Sequence, residues 1–483
     1  MPFDKDSEDE LPVELGPVSN GEYEPPVPSA AVRDAQRRAR DRCEIDARRL
    51  GMTRRAFLRT SMATAAVLLA LDACSDEQQR TRGRNSGGRY RLPPESTTES
   101  TAARDALGGT EAIVDVQTHF LDFAAHPGAL NFGAGFPQAR CGEADSRDCF
   151  SIDHFLELLF LESDTNVGVI SAIPVAGDAN PLTTADMERA RRIADTLCRD
   201  QRLLIQGQAL PALGRLPAQL AAMDELRSGH SIGAWKIYTH APGPGWFLDD
   251  HDASAPQVGH AFLEKVMAIG PRIVSVHKGL SGGNRYASPV DIGPAARSFP
   301  EIGFVVYHSG YEGTASEGPY NPDGTGVDRL VRSLADAAVG AGANVYAELG
   351  STWFNVMRDP NEAAHTLGKL LTAVGPDRVL WGTDTMWYGT PQPQIEAFRA
   401  FEITSEYQDR FGYPALTPET KRKILGANAA ALYGVTPPET KCAFSRDDLA
   451  HAREALPARA ASYGPRTATA MRALARDHRW VGF

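Results

Sequence analysis

Cysteine is scarce: six in 483 residues, too few over that length for a disulfide framework. Basic stripes interleaved with aromatics are missing. With a net charge of −11 and a pI near 5.6, this excludes nucleic acid as a partner. The apolar run near the start, Ser61–Leu71, is eleven residues long, whereas spanning a bilayer takes about 20. Residues 1–30 lack the apolar content that would offset the entropy of ordering. Together with the Arg-rich stretch 33–49 they read as a disordered leader over 1–51, acidic and then basic.

What is present exceeds the needs of one ordinary domain. A (β/α)8 barrel takes about 250 residues, so one barrel with appended segments is the expectation. Thr53-Arg54-Arg55-Ala56-Phe57-Leu58-Arg59 precedes the apolar run and a set of small residues. That order is the layout of a secretory signal over residues 52–75, and TRRAFLR resembles the twin-arginine export consensus. The alternative is a basic helix before a short hydrophobic one. The export reading implies the twin-arginine machinery as a partner and a periplasmic or cell-envelope location. Leu71-Asp72-Ala73-Cys74 resembles a lipobox, with Asp72 the poor fit. Lipidation at Cys74, ordinary cleavage and an uncleaved membrane anchor stay open, as does a true start at Met52.

Residues 76–108, rich in Arg, Ser, Thr and Gly, read as a flexible linker. From about residue 110, β-branched runs alternate with amphipathic stretches, the pattern of βα units around a parallel sheet. Strands are predicted at 112–119, 167–173, 203–209, 232–238, 272–277, 302–308, 343–349 and 378–384. Helical stretches follow most of them, with Thr183 a capping residue and a final helix at 418–433. Eight repeats predict an α/β fold, a (β/α)8 TIM barrel over 109–436, with a doubly wound sheet as the alternative. Residues 437–483 read as a C-terminal helical extension that packs on the barrel or mediates homo-oligomer formation. Two loops, 120–150 and 239–256, look inserted on the active face. Cys141 and Cys149 lie in the first, as a bridge or as two free thiols.

The chemistry gathers at strand ends. Gln117 and His119, two apart, share one face of the first strand. His277 ends the fifth strand, His308 the sixth and Asp384 the eighth. Any one strand-end histidine is ordinarily structural. Three histidines and an aspartate converging from four strands form a set of N and O donors suited to a divalent metal. The order and spacing resemble the amidohydrolase superfamily over residues 110–434, in particular the amidohydrolase-related group of aminocarboxymuconate-semialdehyde and resorcylate decarboxylases. WGTD at strand eight and LGANAAALYG with Asn428 in the final helix are similar to that family's motifs. The sequence departs from it at Gln117, where the family has His or Glu.

The resemblance implies a divalent metal, Zn or Mn, held by Gln117, His119, His277 and Asp384. It implies catalytic roles for Asp384, as acceptor of a proton from metal-bound water, and for His308, as polarising group or general acid. Asp115 reads as orienting the first strand. Lys236 reads as a snorkelling or ion-paired lysine, with a carboxylated metal-bridging lysine as the alternative. Glu348 is supporting or structural. Trp246, Phe247, Tyr311, Trp353, Trp387 and Tyr388 are candidates for an aromatic pocket. Arg285 is either a carboxylate anchor or a surface residue. His126, His154, His230, His240, His251, His260 and His365 read as structural. The leading function is metal-dependent hydrolysis of an amide, lactone or related small-molecule carboxylic derivative. Non-oxidative decarboxylation of an aromatic or unsaturated acid and a non-catalytic ligand-binding barrel are the alternatives.

Overall fold

A computed structural model describes residues 11–16, 18–23, 26–127, 129 and 149–454. Eight parallel strands form one sheet in sequential order: Ile113–Thr118, Thr165–Ile170, Leu203–Gln208, Ala234–Tyr238, Ile273–His277, Gly303–Tyr307, Val345–Glu348 and Val379–Leu380. The chain beyond the eighth strand closes the ring onto the first. Val116 N donates to Trp381 O (3.0 Å), Asp384 N to Gln117 O (2.9 Å) and His119 N to Thr385 O (2.5 Å). The fold is therefore the expected TIM barrel and not a doubly wound sheet. Inward-facing Val114, Val116, Val167, Val169, Val305, Tyr307 and Leu380 fill its interior, with Gln206 donating to Ser275 Oγ (2.9 Å) and Tyr307 OH (2.9 Å) among them, so the barrel is a packed core. Most of the helices run where amphipathic periodicity places them. Thr184–Cys198, for instance, starts with Thr183 and Asp186 capping each other reciprocally.

The leader departs from expectation. In place of a disordered stretch, residues 30–49 form helix α1 (Ala30–Arg49), started by Ser29, whose side chain accepts from Val32 N. Ala35, Ala39, Cys43 and Ala47 recur every four residues and are buried. This stripe of small side chains, not bulky hydrophobics, lets α1 lie close along α3 (Ser61–Thr81). Between them the twin arginines sit on the five-residue α2 (Arg54–Leu58). The apolar run of the signal-like segment is the buried face of α3, where Val67 and Leu68 are inaccessible to solvent. Ser61 Oγ donates to Glu396 Oε1 (2.5 Å) on a barrel helix. Among the described residues, no helix is long and apolar enough to cross a membrane.

Residues 76–108 are likewise structured, not a flexible linker. Gly88–Tyr90 pairs antiparallel with Phe401–Ile403, and Ser100–Leu107 is a helix burying Ala103 and Leu107. Asp72, the residue that fits a lipobox poorly, accepts from Tyr90 N (2.9 Å). Cys43 and Cys74 are free and buried. Cys198 and Cys442 form a disulfide across 244 residues, tying the C-terminal extension to the barrel. Cys149 is also disulfide-bonded, and Cys141 lies outside the described residues, as does most of the 120–150 loop. The extension adds a helix, Arg446–Glu454.

Candidate active site

The closing bonds between the first and eighth strands put Gln117, His119 and Asp384 side by side. His119 Nε2 lies 3.1 Å from Asp384 Oδ1, and Gln117 Nε2 donates to the same oxygen (3.0 Å). Gln117 Nε2 also lies 3.4 Å from His308 Nε2. Ser351 Oγ donates to Asp384 Oδ2 (2.5 Å) and meets Tyr388 OH (2.7 Å). Backbone in the left-handed region aims several of these groups: φ is +63° at His308, +56° at Ser351 and +58° at Asp384. Non-glycine residues rarely adopt it. Such strain persists where surrounding contacts over-determine it, often at functional sites.

Those contacts are identifiable. Asp115 accepts from Thr383 N (3.1 Å), from the Thr383 hydroxyl and from Gln117 N (3.2 Å), pinning strand one to strand eight. Glu348 accepts from His308 N (3.0 Å) and from Gly350 N, fixing the turn after the sixth strand. His308 Nδ1 donates to Gly350 O (2.6 Å), and His119 Nδ1 lies 2.7 Å from Ser171 O. Each ring therefore presents its Nε2 to the site.

His277 stands across the mouth, its ring 4.7 Å from that of His308, 5.0 Å from that of His240 and stacked at 5.0 Å on Tyr238. His240 follows Tyr238 by two residues, the same strand-end spacing that marked Gln117 and His119, and this signal was open to sequence reasoning. It belongs with the site, not with the structural histidines. Burial, reinforced by the neighbouring His308, His240 and Lys236, pushes His277 well below the ordinary histidine range. Burial takes His308 down to about 4, against the pull of Asp384 and of the hydrogen bond to Gly350. Burial raises the Asp384 carboxyl, but the hydrogen bond and charge of His119, helped by His308 and Ser351, outweigh it and hold the group at about 2.

Lys236 neither snorkels nor pairs. It is wholly buried, its Nζ has no hydrogen-bond partner, and it lies 3.8 Å from the Tyr307 ring centre and 4.2 Å from that of Tyr238. Burial lowers it to about 7, against the pull of Glu22, Asp384 and Glu348. Arg285 is a surface residue paired with Asp252. Of the aromatic candidates, Trp387 faces the site 5.8 Å from the His119 ring, and Tyr388 stacks on Phe354. Trp246 packs on Phe262, Phe247 on His251 and Tyr286, and Trp353 on Phe398 and Phe401. Tyr311 is buried.

The leader also enters the mouth. Asn20 Nδ2 donates to Asp384 Oδ2 (2.8 Å) and to Glu22 Oε2 (2.5 Å). Glu22 Oε1 lies 3.4 Å from His277 Nδ1, and Oε2 lies 3.7 Å from His308 Nε2. Burial, with the charge of Asp384, raises the Glu22 carboxyl to about 8. A cavity remains, lined by Asn20, Glu22, Gln117, His119, Ile173, Pro174, Tyr238, Asp384 and Trp387. A second cleft, near Glu188 and His230 on the outer helices, holds none of the candidate residues.

Fold and site together define a (β/α)8-barrel protein with imidazole and carboxylate groups gathered at the strand C-termini. The chain belongs to the amidohydrolase family, an enzyme family whose model matches residues 114–435. Among solved structures it is similar to an uncharacterized TIM-barrel protein of Bordetella bronchiseptica, at 16% identity and a TM-score of 0.42, covering 67% of this chain and 99% of that one. The 2,6-dihydroxybenzoate decarboxylase of Rhizobium gives 14% and 0.41, covering 67% and 99%. The 5-carboxyvanillate decarboxylase of Novosphingobium aromaticivorans, with bound manganese, gives 12% and 0.39, covering 68% and 99%. Comparison with curated proteins returns no match.

Proposed function

We propose that the protein is a metal-dependent hydrolase acting on an amide, lactone or related carboxylic derivative. The observation that carries this reading is the buried His119–Asp384 pair, 3.1 Å apart, beside His308 at the converging strand ends. The donor set fits a divalent cation, zinc or manganese. His277 Nδ1 and Gln117 Oε1 are buried with no hydrogen-bond partner, and carbonyl oxygens hold the far nitrogens of His119 and His308. His119, His277 and Asp384 would hold the ion, with Gln117 Oε1 a weaker fourth donor. Bound there, it supplies Lewis acidity toward a substrate carbonyl and makes water a better nucleophile near neutral pH.

The chain's own groups do the rest. Asp384 is ionised and positioned by Ser351 and Gln117, so it serves as proton acceptor. His308 is neutral with a bare Nε2, so it accepts a proton or hydrogen bond before it can return one to a leaving group. Ile173, Pro174 and Trp387 form the wall that limits water. The test is turnover on a panel of amides, esters, lactones and aromatic acids with zinc or manganese supplied, for the native chain and for Asp384→Asn. Release of carbon dioxide from an aromatic acid without hydrolysis of any carboxylic derivative would replace this reading with decarboxylation. No turnover on any of them would leave a ligand-binding barrel. Export by the twin-arginine route, which carries folded proteins, is part of the same proposal, with the signal-like segment kept as part of the fold and not cleaved.

A further inference from the structure

We infer that Glu22, His277 and His308 form a divalent-cation site in which the N-terminal arm supplies the carboxylate that the first barrel strand, with Gln117, lacks. The inference rests on the metal-dependent reading above: it shares His277 with that ligand set and moves His308 Nε2 from its proton role to ligation, leaving Asp384 as the proton acceptor.

Geometry carries it. One donor atom from each of the three side chains lies within 4.8 Å of the others. Glu22 oxygens stand 3.4 Å from His277 Nδ1 and 3.7 Å from His308 Nε2. Two donors each about 2.1 Å from a tetrahedral zinc stand roughly 3.4 Å apart. Both imidazoles offer a lone pair. His308 spends its one proton on Gly350 O, and His277 Nδ1, on a side chain 1% exposed, has no hydrogen-bond partner. An unpaired ring nitrogen at that depth is costly unless something binds it.

The arm is built to deliver the carboxylate. Gly21 takes φ +95°, a conformation glycine adopts without penalty, and this turns the chain at the mouth. Gly21 N donates to Ser19 Oγ (2.9 Å), Glu22 N to Asn20 Oδ1 (3.0 Å) and Ser19 Oγ to Tyr23 O (2.5 Å). Tyr23 is clamped by Asn355 Nδ2 (2.9 Å) and Tyr388 OH (3.1 Å), and Arg358 donates to Gly16 O (3.1 Å). Asn20 donates to both Asp384 and Glu22, so it holds the two carboxylates apart while keeping both available. Gln117 adds a neutral amide where a charged ligand would compete for the ion.

The test measures cation affinity of the full chain directly, by calorimetry with zinc or manganese and by the visible spectrum of the cobalt-loaded protein, for the native chain, Glu22→Gln, Glu22→His and His119→Ala. The expected result is a loss of at least tenfold in affinity and an altered cobalt spectrum for Glu22→Gln, with partial recovery in Glu22→His, which restores a donor. Native affinity and an unchanged spectrum in Glu22→Gln, with loss in His119→Ala, would overturn this inference and leave the proposed function standing. The same holds if Glu22→Gln keeps its metal and gains activity, since the arm would then be a plug. A native chain that binds no divalent cation overturns both. Thermal melting of each variant separates loss of a ligand from loss of fold.

Discussion

Leu68→Ala decides whether the apolar run before Asp72 is a permanent part of the fold or a removable signal. Leu68 lies on α3 with no solvent exposure, between Val67, equally buried, and Leu71, at 2%. Leucine to alanine removes three carbons, worth about 2.4 kcal/mol at roughly 0.8 per buried group, and the cavity left behind brings the usual cost to about 2–5 kcal/mol. That is a large share of a typical domain's stability of about 5–15 kcal/mol. The assay is urea denaturation of the full chain followed by tryptophan fluorescence, because Trp235, Trp353 and Trp381 are buried in the barrel. If α3 and the barrel unfold together, the barrel signal shifts by the full 2–5 kcal/mol, with the denaturant slope unchanged. An unmoved barrel transition would refute the reasoning. So would protein recovered from the cell envelope that begins after residue 75 and keeps native stability.

Other predictions test the scaffold. Gly382→Ala places a methyl group onto Glu348 Oε1 and against the Gln117 side chain. It should cost about 1–3 kcal/mol by overpacking and reduce turnover more than this loss of stability explains. Glu348→Gln leaves one acceptor for two backbone donors, so a drop of about 1–3 kcal/mol in thermal or chemical stability is expected, with weakened turnover as the His308 turn loosens. Cys442→Ser opens a loop of 244 residues. Chain entropy sets an upper bound of about 5 kcal/mol on the loss, and limited proteolysis should cut the C-terminal extension first. Burial raises the Asp72 carboxyl from 3.8 to about 7 in the folded state, so folding holds a proton that the unfolded chain releases. Stability from this group is therefore present below about pH 4, declines as pH rises to about 7 and is level beyond. Asp72→Asn, which can still accept from Tyr90 N, should flatten that slope, gaining about 1–3 kcal/mol at pH 8 in denaturant titrations.

The barrel was legible because most strands are short apolar runs buried on both faces, and periodicity reports burial. His119, His277, His308 and Asp384 stood out because a polar residue ending such a run interrupts the pattern. The leader was not legible, for physical reasons. The stretch around Asn20 and Glu22 has no periodicity, and its anchors, Asn355, Arg358, Asp384 and Tyr388, lie more than 300 residues away. The α1 stripe is only alanine and cysteine, small side chains set among arginines and aspartates whose charge dominates the stretch. The pairing of Gly88–Tyr90 with Phe401–Ile403 and the Cys198–Cys442 bond are long-range facts that no local window contains. Lys236 misled in the other direction. The sequence reads it as snorkelling or ion-paired, whereas Tyr238 and Tyr307 enclose its ammonium.

The contact between Asn20 and Asp384 spans 364 residues. On a ribosome adding about 5–20 residues per second, the arm waits roughly 20–70 s for the strand it will touch. It is made first and seated last. During that interval the half-built barrel mouth is open to solvent. A chain stopped short of the eighth strand keeps Asn355 and Arg358 but lacks Asp384 and Tyr388, so its arm has only half of these anchors.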